Sequence, residues 1–284
     1  MDRTGGEGPR SGVVYYLGSE LTRQYVPVAT CGLPLDNQGP ASDPSAAGAA
    51  VRLTGVLDWN ERRGRLPAAG ISLVVPPGQS VALHSRDDST AVSVLDVVAG
   101  LRRPRQGQVT VDGVAVHRLS GPAMERYRGE RGIITDRFPL LSSLSVTDNV
   151  LAALRSRRVG AAARARAAEL LGTTDAASLA ARRVETLSPE QQWRILIARA
   201  LLSKPRLVLA EDPAPGLGVR AAGRVLDLLT DLHARLGFTL LLATDRLATA
   251  VRCQRLVSLE RGAVSQDELT GDDAWTRGRI DRIG

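Results

Sequence analysis

Two adjacent carboxylates at the end of an apolar run are the residues of this sequence whose type and position most clearly suggest chemistry. The run Leu207, Val208 and Leu209 predicts a buried strand, and Glu211 and Asp212 stand at its carboxyl end. Ligands bind beyond the carboxyl ends of the strands in open α/β sheets. Clusters of carboxylate oxygens suit Mg²⁺ or Ca²⁺, so the pair marks a candidate site for a ligand or a divalent cation.

The element that leads into this strand is a helix predicted to begin at Ser188. Ser188 is a suitable N-cap, Pro189 takes the first helical position, and Gln191 completes a capping box. Apolar residues then recur at helical spacing until Lys204 and Pro205 end the pattern. We therefore expect a helix followed by a buried parallel strand, which favours an α/β fold.

In order and spacing this segment, LSPEQQWRILIARALLSKPRLVLAEDPAP at 187–215, resembles the ATP-binding-cassette (ABC) ATPases. The signature helix of that family begins LSGGQ and leads into a strand that ends in Asp-Glu-Pro. A second stretch, VALHSRDDSTAVSVLDVVAGLRRPRQGQVTVDG at 81–113, matches the family's strand, phosphate loop, helix and following strand without a gap. Within the family, the chain is most similar to the ATPase subunits of lipoprotein-export and macrolide-export transporters.

The resemblance implies a P-loop NTPase-like α/β fold with a mixed central sheet. It places an ABC ATPase-like domain at residues 51–265. Within this domain it implies an antiparallel β-subdomain near 51–80 and 107–118, and a helical subdomain at about 138–187.

The two ends of the chain are predicted to lie outside this domain. Residues 1–50 are rich in Gly, Ser, Pro and Ala, which is typical of a flexible segment or linker. Residues 266–284 are expected to form a C-terminal tail. Apolar patches at 12–17 and 25–28 leave two alternatives open for the N-terminal segment, a disordered tail and a strand or docking peptide.

The phosphate loop keeps the family's length but not its chemistry. A working loop, GxxxxGK[ST], uses glycines so that backbone N–H groups can surround the phosphates, a lysine for the terminal phosphates and a hydroxyl for Mg²⁺. Here Ser85 and Thr90 replace the glycines and Ala91 replaces the lysine, while Lys204 is the only lysine of the chain. The positions that the resemblance assigns to cofactor binding in this loop are Ser85, Asp88, Thr90, Ala91, Val92 and Ser93.

The other catalytic positions change towards acids. The resemblance places Asp136 where the family has a glutamine that helps to coordinate Mg²⁺ and the attacking water, and Asp245 where it has the switch histidine. The order of the two acids after the strand is inverted, so that Glu211 matches the metal ligand and Asp212 matches the general base. Together these changes remove most of the groups that position and stabilise a transferring phosphoryl group.

The signature helix is altered only in part. Ser188 and Gln191 match the family's nucleotide-binding positions, whereas Pro189 and Glu190 replace two glycines. The replacements remove one backbone N–H and add a carboxylate near where a partner's γ-phosphate would lie. Trp59 stands near the family's adenine-stacking aromatic, but burial against the sheet explains a tryptophan there equally well.

The resemblance gathers six acids around the place of the triphosphate: Asp87, Asp88, Asp136, Glu211, Asp212 and Asp245. Like charges about 4 Å apart repel by roughly 1 to 4 kcal/mol, depending on the dielectric, and no lysine offsets them. Two alternatives stay open. Each acid taken alone is also explained as a solvated surface charge, and the acids together could form a new site for Mg²⁺ or Ca²⁺.

Composition indicates a globular protein of the cell interior. The chain has 284 residues, 43% of them hydrophobic, but no run of about 18 apolar residues that could span a membrane, and no signal-peptide pattern. The formal charge of +7 points only weakly to nucleic acid, because aromatic residues for base stacking make up 3%. We expect a cytoplasmic protein, peripheral at the inner face of the cell membrane, with no nucleic-acid partner.

Three functions are compatible with these motifs. The first is a non-hydrolysing structural or regulatory subunit of a membrane transport complex, whose partners would be a permease subunit and an intact ABC ATPase chain in a dimer. The second is a residual ATP-binding subunit that hydrolyses slowly, with Ser93, Glu211 and Asp212 holding Mg²⁺. The third is a non-transport protein-binding module. The implied cofactor is ATP with Mg²⁺, and the altered loop puts its binding in doubt.

Overall fold

The computed structural model describes residues 48–57, 70–86, 89–154, 159–213 and 216–270. Most of the flexible segment predicted at 1–50, and the tail beyond 270, therefore lie outside the described residues. No helix in these ranges is long and apolar enough to cross a membrane.

The described part of the chain alternates strands and helices. Its strands are β1 (Val51–Leu57), β2 (Ile71–Val75), β3 (Ser80–His84), β4 (Gln106–Val111), β5 (Val114–Ala115), β6 (Gly132–Ile134), β7 (Leu207–Glu211), β8 (Thr239–Thr244), β9 (Arg255–Glu260) and β10 (Ala263–Leu269). Its α-helices are α1 (Ser89–Val98), α2 (Gly121–Gly129), α3 (Val146–Leu151), α4 (Ala161–Thr173), α5 (Pro189–Leu201), α6 (Val219–Leu236) and α7 (Leu247–Ala250).

The central sheet is mixed, as the resemblance implies. Its strand order is β10-β9-β3-β8-β7-β6, and all neighbours pair in parallel except β10, which pairs antiparallel with β9 at one edge. The parallel strands are almost continuously apolar, and every residue of β8 is buried, because core clusters cover both faces of the sheet. The strand predicted at Leu207–Leu209 is β7. Its carboxyl end lies at the same edge as those of β3, β6 and β8.

A second, antiparallel sheet covers one side of the core. Its order is β2-β1-β4-β5, and it lies in the part of the sequence where the antiparallel β-subdomain is expected. Burial alternates along β2, with Ile71, Leu73 and Val75 buried. These side chains pack in the same apolar cluster as residues of α1 and α2, so this sheet and α1 share one core.

The segment between β6 and α5 is helical and surrounds a second core. Leu170 and Leu171 of α4 pack with Val150 of α3 and Trp193 of α5 in one cluster. This matches the placement of the predicted helical subdomain, whose boundaries stay a prediction.

Strand β10 (Ala263–Leu269) crosses the position at which the sequence places the boundary between the domain and the tail. Strand β10 continues to Leu269, and Gln266 pairs with Ser258 while Leu269 pairs with Arg255. Towards the end of this strand every second side chain is exposed, and most of the side chains are polar. The same pattern is typical of a loop, so the sequence does not show where the strand ends.

Asn149 organises the loop that enters the helical segment. Its side-chain oxygen accepts from the Leu141 amide at 2.6 Å, and its amide donates to the carbonyls of Leu141 and Ser145 at 3.0 Å each. Asn149 is only 1% exposed, so water cannot replace these bonds.

We expect Asn149→Ala to lower the free energy of unfolding by about 2–3 kcal/mol, because it leaves buried backbone groups without partners. Ser143→Ala, an exposed position of the same loop, is the matched control and should change it by less than about 0.5 kcal/mol. Urea denaturation followed by circular dichroism measures both. Equal effects would contradict the assignment.

Candidate functional site

The altered phosphate loop follows β3 and leads into α1. The Ser85 amide donates to the Thr244 carbonyl of β8 at 3.1 Å, which holds the start of the loop against the sheet. Ala91, at the lysine position, is fully buried and packs in the cluster shared with the antiparallel sheet. Its methyl group can neither reach a phosphate nor neutralise one. Thr90, Val92 and Ser93 are half-buried.

Arg137 lies at the candidate site and is not among the residues that the sequence motifs indicate. It lies just after β6, beside Asp136, and its Nε donates to Glu211 Oε1 at 2.7 Å. The same guanidinium holds Asp96 of α1 in a bidentate pair, with Nη2 to Oδ1 at 2.7 Å and Nη1 to Oδ2 at 3.1 Å. Thr135 donates its hydroxyl to Glu211 Oε2 at 2.7 Å. One arginine thus connects the phosphate-loop helix with the acidic end of β7.

These contacts set the charge balance of the site. The side chains of Asp96 and Glu211 are 9% and 15% exposed, so their charges need a partner inside the protein. The hydrogen bonds to Asp96 and Glu211 outweigh the effect of burial and raise the pKa of Arg137 above its ordinary value. The sequence analysis expected these acids to repel one another with no lysine to offset them, and at Glu211 an arginine, Arg137, provides the offsetting charge.

Little space remains beside the guanidinium. The cavity lined by Asp96, Thr135, Arg137 and Glu211 together with apolar neighbours measures about 10 Å³, which is at the lower limit for one water molecule. Mg²⁺ in proteins usually keeps several waters, so a hydrated Mg²⁺ does not fit there. In the described ranges, no three His, Cys, Asp or Glu side chains come together as a metal-binding group. This counts against a new divalent-cation site built from Asp136, Glu211, Asp212 and Asp245.

The remaining acids share the strand ends as predicted but differ in exposure. Asp212 is 9% exposed, and its Oδ2 accepts from the Thr244 hydroxyl of β8 at 2.5 Å. Asp136, after β6, and Asp245, after β8, have exposed side chains. The structure thus places these acids at one edge of the sheet, where solvent screens the two exposed charges. Trp59, Asp87 and Asp88 lie outside the described residues.

The signature helix α5 begins as predicted. Ser188 Oγ accepts from the Gln191 amide at 3.3 Å, and Gln191 Oε1 accepts from the Ser188 amide at 2.9 Å, so the capping box is confirmed. Both side chains that match the family's nucleotide-binding positions therefore stabilise the helix start.

Glu190 does not stand as an isolated negative charge in the signature. It accepts from Arg224 of α6 through both oxygens, at 3.0 Å from Nε and 2.5 Å from Nη2, and from Arg194 one turn along α5 at 3.0 Å. The hydrogen bond from Arg224, and then that from Arg194, lower the pKa of Glu190 to about 2. The carboxylate thus connects α5 with α6.

The sequence held a signal for the missed contacts. Asp96 interrupts the apolar run Val94, Leu95, Val97 and Val98 on a helix, and a carboxylate in such a run must find a cation or a set of hydrogen bonds. A search for arginines as well as lysines near the strand ends would have indicated Arg137.

Three features of the fold define the class of P-loop NTPase-like proteins. They are a mostly parallel sheet, a loop that leads from its first strand into a helix, and paired acids at the end of β7. The ABC transporter family model matches residues 68–215, and the chain belongs to that family, in the part that forms its ATPase domain.

Curated relatives agree with this assignment. The chain is 35% identical over 201 residues to the lipoprotein-releasing system ATP-binding protein LolD of Anaeromyxobacter dehalogenans, which covers 70% of this chain and 84% of that protein. It is 33% identical over 209 residues to the macrolide export ATP-binding/permease protein MacB of Rhodopseudomonas palustris, which covers 73% of this chain. The chain spans only 32% of the length of that MacB protein, and 56% of a methionine import ATP-binding protein MetN of Mesorhizobium japonicum.

Solved structures confirm the fold. The chain is similar to the dimeric post-hydrolysis state of the ATP-binding cassette MJ0796 bound to ADP and Pi, with a TM-score of 0.68 and 24% identity over 78% of this chain and 99% of that one. It is also similar to cbiO1 from Clostridium perfringens, with a TM-score of 0.71 and 20% identity over 82% and 93% of the two chains. Identities this low show the fold alone.

We expect Glu190→Gln to lower the free energy of unfolding by about 1 kcal/mol at pH 7, because a solvent-screened ion-pair network is lost. The folded-state pKa of about 2 lies below the value of roughly 4.3 in an unfolded chain. The wild-type advantage should therefore persist from pH 7 to about pH 5 and vanish as the pH falls towards 2. Urea denaturation at several pH values measures it.

The control for this prediction is Glu169→Gln, at an exposed ion pair with Arg166 within α4. It should change stability by less than about 0.5 kcal/mol at every pH. A Glu190→Gln effect that does not depend on pH would contradict an electrostatic role for Glu190.

Proposed function

We propose that this protein is a non-hydrolysing structural or regulatory subunit of an ABC-type membrane transport complex. The observation that carries the proposal is the occupation of Glu211, the metal-ligand match, by Arg137 and Thr135. Ala91 in place of the lysine adds to it, because no positive side chain replaces the lysine at that position.

The chemistry of phosphoryl transfer explains why these changes matter together. Catalysis of this reaction depends mostly on positioning and on stabilising negative charge. In this chain alanine stands at the lysine position, aspartate at the glutamine position and aspartate at the histidine position. The two aspartates carry charge of the same sign as the triphosphate, so they oppose its binding.

The partners are proposed from the names of the relatives. MacB is named as a combined ATP-binding and permease protein, and LolD as the ATP-binding protein of a lipoprotein-releasing system. We propose that this chain likewise works beneath a permease subunit at the inner face of the cell membrane. An intact ABC ATPase chain would then supply the hydrolysis, as the other half of a dimer.

A cleft beside the site supports contact with another protein segment. It measures about 340 Å³ and lies between the end of α2, the segment after β6 and the end of α5. Its apolar wall includes Leu101, Ile133 and Phe138, and Arg128, Arg131 and Arg199 line it as well. Arg199 donates to the carbonyls of Phe138 and Pro139. A segment with apolar and acidic side chains would suit this lining.

We expect the purified chain to show no calorimetric heat and no thermal stabilisation with ATP, with or without Mg²⁺, which corresponds to a dissociation constant weaker than about 1 mM. The LolD relative serves as the positive control for the assay. Mg²⁺-dependent binding tighter than about 100 µM would contradict the proposal and favour the slowly hydrolysing alternative.

Any phosphate release must then be tested with Asp212→Ala, which removes the general-base match. A true residual activity disappears in this variant, because no other described carboxylate occupies that position. Release at an unchanged rate indicates a contaminating ATPase.

We expect Phe138→Asp to reduce co-purification with a co-expressed permease subunit by tenfold or more, corresponding to about 1.4 kcal/mol, because it places a charge in the apolar wall of the cleft. Val219→Asp is the matched control, since Val219 is an exposed apolar residue on α6 that does not line the cleft. Equal loss in both variants, or loss in neither, would contradict the cleft as the contact.

A further inference from the structure

We propose that Arg137 is a built-in cation that takes the position of a divalent metal ion between Asp96 and Glu211. The proposal deepens the proposed function, on which it rests, because it says what holds the site together when no Mg²⁺–nucleotide does. It concerns three residues of this chain and the metal ion alone, so it can be tested without ATP.

The carboxylate oxygens of Glu211 and Asp96 already accept hydrogen bonds from within the chain. Glu211 uses Oε1 for Arg137 and Oε2 for Thr135. Asp96 uses Oδ1 and Oδ2 for the two terminal nitrogens of Arg137. Each of the four carboxylate oxygens therefore already accepts a hydrogen bond from within the chain. A metal ion that is to bind Glu211 must therefore compete with the positive charge of the guanidinium and with the Thr135 hydroxyl.

The shape of the guanidinium suits a position between two carboxylates. Arginine presents its N–H donors in a rigid, planar fork, which allows it to hold two carboxylates at once, whereas lysine is a single point charge. Nε and Nη2 contact Glu211, and Nη2 together with Nη1 also holds Asp96. The guanidinium lies between the two acids, as a bridging cation would, and the 10 Å³ cavity beside it leaves no room for a second cation with its waters.

The ion pairs of Arg137 also join three separate elements of the fold. Asp96 belongs to α1, Glu211 ends β7, and Arg137 begins the segment that leads from β6 to the helical part of the chain. In sequence, Arg137 is separated from Asp96 by 41 residues and from Glu211 by 74. The arginine thus fixes these three elements with respect to one another, without a ligand.

The test is the full chain carrying Arg137→Gln, titrated with Mn²⁺ alone and followed by electron paramagnetic resonance. Removal of the guanidinium opens the space between two carboxylates, and we expect Mn²⁺ binding with a dissociation constant of about 1 mM or tighter. Saturating Mn²⁺ should raise the Tm of this variant by a few degrees, roughly 3 °C. The wild-type chain should bind no Mn²⁺ in the same range and show no shift.

Arg194→Gln is the matched control, since Arg194 also lies between two carboxylates, those of Glu190 and Asp175. Glu190 keeps Arg224 in that variant, so no metal binding is expected. A second variant, Arg137→Gln with Glu211→Gln, should lose the Mn²⁺ binding again and be more stable than Arg137→Gln without metal, because one uncompensated charge is removed.

Several results would overturn the proposal. The first is a folded Arg137→Gln chain that binds no Mn²⁺. The second is a wild-type chain that binds Mn²⁺ as tightly as Arg137→Gln does, and the third is Arg194→Gln binding Mn²⁺ as tightly as Arg137→Gln. If Arg137→Gln is unfolded without metal, Mn²⁺ should restore its circular dichroism spectrum, and failure to do so also counts against the proposal. Nucleotide is absent throughout. A failure of the proposed function would instead appear as Mg²⁺–ATP binding by the wild-type chain, so the two failures can be told apart.

Discussion

The ion pairs of Arg137 with Asp96 and Glu211 constrain the candidate site more than any other contact in the described structure. The carboxylates of Asp96 and Glu211 are largely buried, whereas the Arg137 side chain is 39% exposed. Loss of one partner should therefore cost less than the roughly 3–5 kcal/mol of a fully buried pair, because solvent screens the arginine. None of the three can be replaced alone without leaving an uncompensated charge. The arrangement also determines what the site can accept, since a ligand that needs Glu211 must first compete with a guanidinium that belongs to the chain.

An acid is paired with arginine at the signature helix as well. Glu190 replaces a glycine of the family pattern, and its charge is matched by Arg194 on its own helix and Arg224 on α6. At both places an acid near the expected phosphate positions is held by arginine, in a chain whose only lysine, Lys204, lies in a turn after α5. Here the polar groups of Glu211 and Glu190 are satisfied, which indicates a stable arrangement of the altered motifs.

The features that could be predicted from the sequence are those that depend on residues close together along the chain. The capping box at Ser188, the strand at Leu207 and the antiparallel β-subdomain follow from short patterns and from family resemblance, and the structure has them where they are expected. The ion pairs could not be derived in this way, because the partners of Arg137 are distant in sequence and meet only when the sheet is assembled. A count of acids and lysines along the chain gives the wrong charge balance when an arginine supplies the cation. Strand β10 could not be derived from the sequence for a different reason, since an exposed edge strand has the polar pattern of a loop.

These contacts also bear on how such a subunit would be held in a complex. In a cassette dimer such as that of MJ0796, ADP and Pi are bound in the structure. In this chain Glu211 at the end of β7 already accepts hydrogen bonds from Arg137 and Thr135. Under the proposed function, this strand end would contribute little to a nucleotide shared between two halves. Association would then depend on protein surfaces, which must bury apolar area and match charge without a bridging triphosphate. Phe138, which lines the cleft with three arginines, follows Arg137 directly in the chain, so the ion pairs of Arg137 with Asp96 and Glu211 also help to hold one wall of this surface in place.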